Sequence, residues 1–197
     1  MALHTYGEAV VQGVPVLPDS ATIGHNVVIE YGAVLGENVR IDGNCYIYAC
    51  VTIHDNVYIQ AGSVIGSPAF TYKTNGGIPV REDSDGEVVI ESDVEIGSCV
   101  VVDRGRVLTI LKQGCKIDNL VHVAHDCCVG SNTLLVAGTV LGGHVTIGEG
   151  ARVSINASIR PRVTIGDGVL VRMDASVSRD VPDGESTDGR FLGRSRR

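Results

Sequence analysis

Three side chains in the stretch KIDNLVHVAHDCCVGSN (Lys116–Asn132) could act together in acid–base chemistry: His122, His125 and Asp126. An unperturbed imidazole, with a pKa near ~6.5, is mostly neutral near pH 7 and can accept a proton. A carboxylate beside it can orient the ring and stabilise the imidazolium. A base held in this way contributes about 10²–10⁴-fold to a step that moves a proton. Asp126 is the nearest carboxylate in sequence, but adjacency alone does not decide which carboxylate reaches the ring.

The element that must position these groups is a repeat. Stepping six residues from Val11 gives Leu17, Ile23, Ile29, Leu35 and so on to Ile65, every one aliphatic. The rhythm resumes at Ile90, Ile96 and Val102, slips by three residues, and runs from Leu111 through Val123 and Ile147 to Val177. Two residues before each aliphatic lies a small or β-branched side chain, such as Ala21, Val27, Ala33 or Cys45. A period of six fits neither an α-helix of 3.6 nor a simple alternating strand. It fits an all-β hexapeptide prism, in which three short strands and three corners make one coil. The aliphatic points inward, and Gly, Asn or Asp accommodates the corner. About twenty-five such positions give about eight coils, a prism on the order of 40 Å long at the usual strand spacing.

Composition agrees with a narrow aliphatic core: 25 Gly, two Phe and no Trp in 197 residues. The formal charge of −7 argues against a nucleic-acid surface or a basic membrane patch. No apolar run reaches membrane-span length and the start, MALHTYGEAV, lacks signal-peptide character, so a cytoplasmic protein with no membrane insertion is expected. The six cysteines form no C-x-x-C pair, and Cys45, Cys115 and Cys127 fall in the slot for small side chains. They read as small hydrophobes, and no metal site is expected.

Two interruptions stand out. Residues 67–87, SPAFTYKTNGGIPVREDSDGE, leave the rhythm entirely, with Phe70 and Tyr72 near the start and a Gly76–Gly77 hinge. Long excursions from a solenoid are usually functional, and this one is expected to be a lid or an arm toward a neighbouring subunit. The second is the slip in VVDRGRVLTIL, which carries Asp103 and Arg104 and pushes a bulge outward just before the histidines. The prism is expected over residues 1–180, with 181–197 a separate tail ending in FLGRSRR.

In this register Val123 points in, so His122 points out from a flat face and His125 sits at a corner. Advancing 18 residues places Gly143 over His125 and His144 over Asp126; another 18 places Pro161 and Arg162 in the same columns.

These residues carry a family resemblance. SPAF plus tyrosine (Ser67–Phe70, Tyr72), VEIGS (Val94–Ser98), VVDRG (Val101–Gly105) and KIDNLVHVAHDCCVG (Lys116–Gly130) resemble the UDP-3-O-acylglucosamine N-acyltransferases of lipid A biosynthesis. HDCCVG, GGHVTIGEGA and VSRDVPDG in the C-terminal half resemble acetyl-CoA-dependent acetyltransferases of nucleotide-linked amino sugars. The resemblance implies a left-handed parallel β-helix, a homotrimer with sites between subunits, and His125 as the base that deprotonates the sugar amine. It adds Asp126 as the acid that follows the base, where the lipid A enzymes commonly have Asn. Phe70, Tyr72, Asp103, Arg104, Asn119 and His122 are expected on the sugar side. Gly142, Gly143, His144, Arg160 and Arg162 are expected on the donor side.

The lipid A enzymes carry a uridine-binding domain and terminal helices, neither of which is expected here, and Arg160–Pro161 replaces a Gly–His pair of that family. The expected reaction is therefore transfer of a short acyl group, acetyl above all, from acyl-CoA to a nucleotide-linked amino sugar. No cofactor is expected to be bound permanently. The alternative is an acyl-carrier-protein-dependent enzyme of the UDP-3-O-acylglucosamine type. A zinc carbonic anhydrase on the same prism would need His122, His125 and His144 to converge on one metal, and His122 points from another side of the corner. A non-catalytic scaffold explains the repeat but not the His/Asp corner.

Overall fold

The structure is a computed structural model, and it describes residues 4–6, 9–11 and 17–189. All assigned elements are strands, most of them only two residues long. Apart from two antiparallel pairs, the strands pair in parallel with the strand one coil on, so that Tyr46 opposes Val64 and His122 opposes Val140. Three sheets result, of ten, nine and seven strands, and they form the three walls of a prism. The fold is all-β and consistent with a left-handed parallel β-helix. The ten-stranded wall holds nine parallel strands, from Ala9–Val11 to Ser176–Val177, giving about nine turns where about eight were expected.

The six-residue period explains the core directly. Ile29, Ile47, Ile65, Val102, Val123, Leu141 and Ile159 stack down the inside of one wall, all fully or nearly fully buried. The small slot is buried as well, as at Val27, Cys45, Val121 and Cys127. Burial pushes the thiols of Cys115 and Cys127 up to about 12, which suits packing groups and not nucleophiles. Corners are turned by a left-handed residue, most often Asn or Gly: Asn26, Asn44, Asn56, Asn132 and Asn156 all have φ between 56° and 62°. Asn tolerates this conformation better than most side chains.

Both interruptions leave the prism at one corner, between the ten- and seven-stranded walls. The strand Val64–Pro68 pairs with Val101–Arg104, and the chain re-enters the seven-stranded wall at Glu87–Ile90. The intervening residues build an antiparallel hairpin, Tyr72–Asn75 against Ile78–Arg81. The expected Gly76–Gly77 hinge is its turn; φ values of 57° and 82° are those of a tight two-residue hairpin connection. The slip forms a turn at Gly105–Val107 between the strands Val101–Arg104 and Leu108–Leu111.

Past Asp180 the solenoid continues: Val181 bridges to Ile165, and Ser186–Thr187 pairs with Leu170–Val171. The arginine-rich end of the expected tail lies outside the described residues. Among the described residues no helix is long and apolar enough to cross a membrane.

Candidate active site

The corner that releases the hairpin and the bulge also carries His125. Each coil adds 18 residues, so its two corner positions recur as His125–Asp126, Gly143–His144 and Pro161–Arg162. The second position is left-handed in all three, with φ of 57° at Asp126, 61° at His144 and 67° at Arg162. Elsewhere this slot is mostly Asn, Asp or Gly, so His144 and Arg162 occupy a conformation that costs them more. The column places an imidazole and a guanidinium where a turn former would be easier.

The geometry settles which carboxylate meets the His125 ring. His125 Nδ1 lies 2.8 Å from Asp126 Oδ2. Asp126 Oδ1 accepts the backbone N–H of Val107 at 2.9 Å and of Arg106 at 3.1 Å. His144 Nε2 stands 3.8 Å from Asp126 Oδ2, and its ring meets that of His125 edge-on at 5.0 Å. The carboxylate is 7% exposed. Burial would push its pKa up; the hydrogen bonds from His125 and from the Val107 and Arg106 amides outweigh burial and hold it below the ordinary carboxylate value. Asp126 is therefore an ionised hydrogen-bond partner for His125, with the His144 ring close by.

Two glycines make room for this pair. A Cβ at Gly143 would lie 2.5 Å from His125 Nε2, and one at Gly105 would lie 2.1 Å from Asp126 Oδ2. With Nδ1 committed to Asp126, Nε2 faces the space over Gly143. That space belongs to an open cleft of about 450 Å³. His125, Asp126, Gly143, His144 and Arg162 line it from the prism; Thr71, Glu82 and Ser84 line it from the hairpin, and Arg106 from the bulge.

The remaining expected residues sit elsewhere. Gly142 packs against the next coil, where a Cβ would lie 2.6 Å from Pro161 Cδ. Phe70 is 83% exposed and stacks edge-on against Tyr72 beside the cleft. His122 lies on the ten-stranded wall, with Nε2 3.7 Å from Asp103 Oδ2, and Ser67 Oγ donates to Asp103 Oδ1 at 2.6 Å. Burial pushes the Asp103 carboxyl above its ordinary value, against the Ser67 hydrogen bond and the nearby His122. Arg104 does not line the cleft: it donates to Ser84 O and Gly66 O, both at 2.7 Å, and lies over the Tyr48 ring. It pins both ends of the hairpin excursion. Asn119 is at a different corner, where its Oδ1 accepts the Ser98 N–H. Arg160 lies outside the lining, next in sequence to Pro161, which is part of it.

Glu82, Ser84 and Arg106 are site residues that the periodicity does not reveal. A signal was present: Gly76–Gly77 between TYKTN and IPVR predicts a hairpin. Its register sets Thr71 opposite Glu82, whose N–H donates to Thr71 O at 3.0 Å.

A bacterial transferase hexapeptide (six repeats) family model matches residues 32–67. The UDP-3-O-acylglucosamine N-acyltransferase of Helicobacter hepaticus is 47% identical over 92 residues, which is 46% of this chain and 28% of that protein. Among solved structures, the UDP-N-acetylglucosamine acyltransferase of Francisella novicida aligns with a TM-score of 0.56 at 28% identity, covering 89% of this chain and 65% of that one. LpxA from Acinetobacter baumannii aligns with a TM-score of 0.76 at 20% identity, over 90% of this chain and 70% of that one, a likeness of fold. The chain spans about a quarter of the length of the curated relatives it matches. The chain thus carries a hexapeptide-repeat β-helix and resembles, over nearly half of its own length, the UDP-3-O-acylglucosamine N-acyltransferases.

Proposed function

We propose that the protein is an N-acyltransferase that moves an acyl group from a pantetheine thioester to the amine of a nucleotide-linked amino sugar. One observation carries the proposal: an imidazole with Nδ1 fixed on a buried carboxylate and Nε2 open to a cleft. The sugar amine attacks the thioester carbonyl and forms the N–C bond, and His125 Nε2 takes the amine proton. Asp126 holds the ring and stabilises the imidazolium. The Gly143 N–H, which has no protein acceptor among the described residues, stabilises the oxyanion. Collapse breaks the C–S bond, and the proton on His125 goes to the departing thiolate. The cleft is open on one side, and a neighbouring subunit of a homotrimer closes it.

The relatives favour a UDP-3-O-acylglucosamine-type acceptor, and with it the acyl-carrier-protein donor that the motif resemblance implies, over the short acyl-CoA expected from sequence. Acetyl-CoA is the second reading, supported by Arg162 in the cleft with Arg160 near it, cations suited to CoA phosphates. The test is thiol release with a matrix of donors (long-chain acyl carrier protein, acetyl-CoA) and acceptors (UDP-3-O-acylglucosamine, UDP-N-acetylglucosamine, other nucleotide amino sugars). Acylation of the first acceptor by the first donor supports the main reading. Absence of transfer in every combination overturns it.

The ligand atoms of His125, Asp126 and His144 lie within 4.8 Å of one another. A three-histidine zinc site would also need His122, which faces Asp103. Metal analysis of the purified protein tests that rival: stoichiometric zinc lost together with activity in His144→Ala would favour it.

A further inference from the structure

The corner at Asp126 is held differently from those above it. The left-handed residue of a corner normally donates its N–H to a carbonyl one coil below: His144 to His125 O at 2.9 Å, Arg162 to Gly143 O at 3.0 Å, Leu120 to Ser98 O at 3.0 Å. Beneath Asp126 the three-residue slip has carried the chain outward. The carbonyl of Gly105 is used by the Gly86 N–H at 2.9 Å. The Asp126 N–H instead donates to Thr109 Oγ1 at 2.8 Å, and that hydroxyl donates to Asp103 O at 2.7 Å.

Thr109 is fully buried and stands in the slot that elsewhere on the same wall holds Ala33, Val51, Val88, Cys127 or Val145. Its methyl satisfies the slot, and its hydroxyl supplies the missing rung. The bond is reciprocated, because the bulge's Arg106 and Val107 amides donate to the Asp126 carboxylate. Bulge and corner therefore lock each other, with the orientation of Asp126 set from both ends.

We infer that Thr109 is a positioning residue: its hydroxyl replaces a backbone rung and fixes Asp126, and through Asp126 the Nδ1 side of His125. The inference rests on the general-base reading for its kinetic part only. A buried hydroxyl serving as both donor and acceptor cannot be replaced by a methyl without leaving the Asp126 N–H and the Asp103 carbonyl unpaired. The Asp126 φ of 57° then loses the bond that maintains it. Small misplacements of a catalytic group cost on the order of 10²-fold in rate.

The experiment compares Thr109→Val, which keeps the shape, with Thr109→Ser, which keeps the hydroxyl. The first readout needs no substrate: the downfield Nδ1–H proton of the His125–Asp126 bond, assigned by its loss in His125→Ala. It is expected in the wild type and Thr109→Ser and lost or exchange-broadened in Thr109→Val. The second readout is acyl transfer. There, kcat should fall about 10²-fold in Thr109→Val with KM little changed, and return to within a few-fold in Thr109→Ser. If Thr109→Val does not fold, Thr109→Ala, which also lacks the hydroxyl, takes its place in both measurements. A folded hydroxyl-less variant that keeps the Nδ1–H signal overturns the inference. A wild type that shows the signal and transfers no acyl group refutes the proposed function and leaves the positioning role standing.

Discussion

Asp126 Oδ2 lies 2.8 Å from the Nδ1 of its own chain neighbour, His125. Adjacent side chains on a strand point to opposite faces, so such a bond is unusual in β structure. It forms here because the pair turns a corner and Asp126 is left-handed, with φ of 57°. Gly105 leaves the volume into which the carboxylate folds back.

Asp126→Asn should show what the carboxylate does. The amide oxygen can still accept the Arg106 and Val107 N–H groups. The amide NH₂ toward His125 Nδ1 turns that nitrogen into an acceptor and leaves the proton on Nε2, the wrong tautomer for a base. The expected loss in kcat is about 10²–10⁴-fold, similar to that of His125→Ala, with both variants folded by circular dichroism. Wild-type turnover in either variant would remove the His125–Asp126 pair from the mechanism.

Gly143→Ala tests the space over the ring. The Gly143 φ is not among the left-handed ones, so alanine is tolerated by the backbone. Its Cβ would nevertheless meet His125 Nε2 at 2.5 Å and Cε1 at 2.7 Å. The ring must turn or the approach to Nε2 closes. A melting temperature within a few degrees of wild type, with kcat/KM down about 10²-fold, is the expected pair of results. Full activity would show that the reacting amine comes from another side.

The two buried carboxylates should pull stability in opposite directions with pH. Asp126 has a depressed folded-state value, so its contribution is complete above the ordinary carboxylate value near ~3.9 and is lost as pH falls below that. Asp103 has a raised folded-state value. The stability it adds when protonated is present below the ordinary value and is lost as pH rises from about 4 through its raised value. Asp103→Asn should therefore remove the decline that sets in above about pH 4, and Asp126→Asn should flatten the acid limb below about pH 4. Thermal melts across pH 3–8 would check both. A wild-type-shaped curve for Asp103→Asn would mean that its burial carries no electrostatic cost.

The prism and the corner column were legible because each depends on a count. A strict step of six makes the wall, and a step of 18 sets Gly143 over His125 whatever the side chains do. The partner of His125 was not legible, since the direction of Asp126 depends on one backbone angle and on a bulge contributed by residues 105–107. Arg104 illustrates a second limit: a cation beside a site looks like a ligand for substrate, yet its guanidinium is occupied by two carbonyls of the excursion it anchors. Thr109 hid inside the pattern, because threonine fills the small slot as well as valine does. A hydroxyl in that slot is a usable signal, as Ser63, Thr133 and Thr139 also turn theirs to backbone carbonyls.

The hairpin wall of the cleft offers the last test. Glu82 Oε1 and Arg106 Nη2 meet at 2.8 Å, which ties the hairpin base to the bulge beneath Asp126. Arg106 is largely exposed, so the pair contributes only about 0–1 kcal/mol to stability. Its expected effect is on geometry: Glu82 and Arg106 line the cleft together with Thr71, Ser84, His144 and Arg162. Glu82→Ala should leave the melting temperature nearly unchanged and raise KM for the sugar acceptor several-fold, with kcat within about two-fold, the pattern of lost uniform binding. Restoring the pair in reversed order, Glu82→Arg with Arg106→Glu, should recover KM in part. If Glu82→Ala lowers kcat and leaves KM alone, the hairpin acts on the transition state, and Glu82 belongs with Asp126 rather than with the walls.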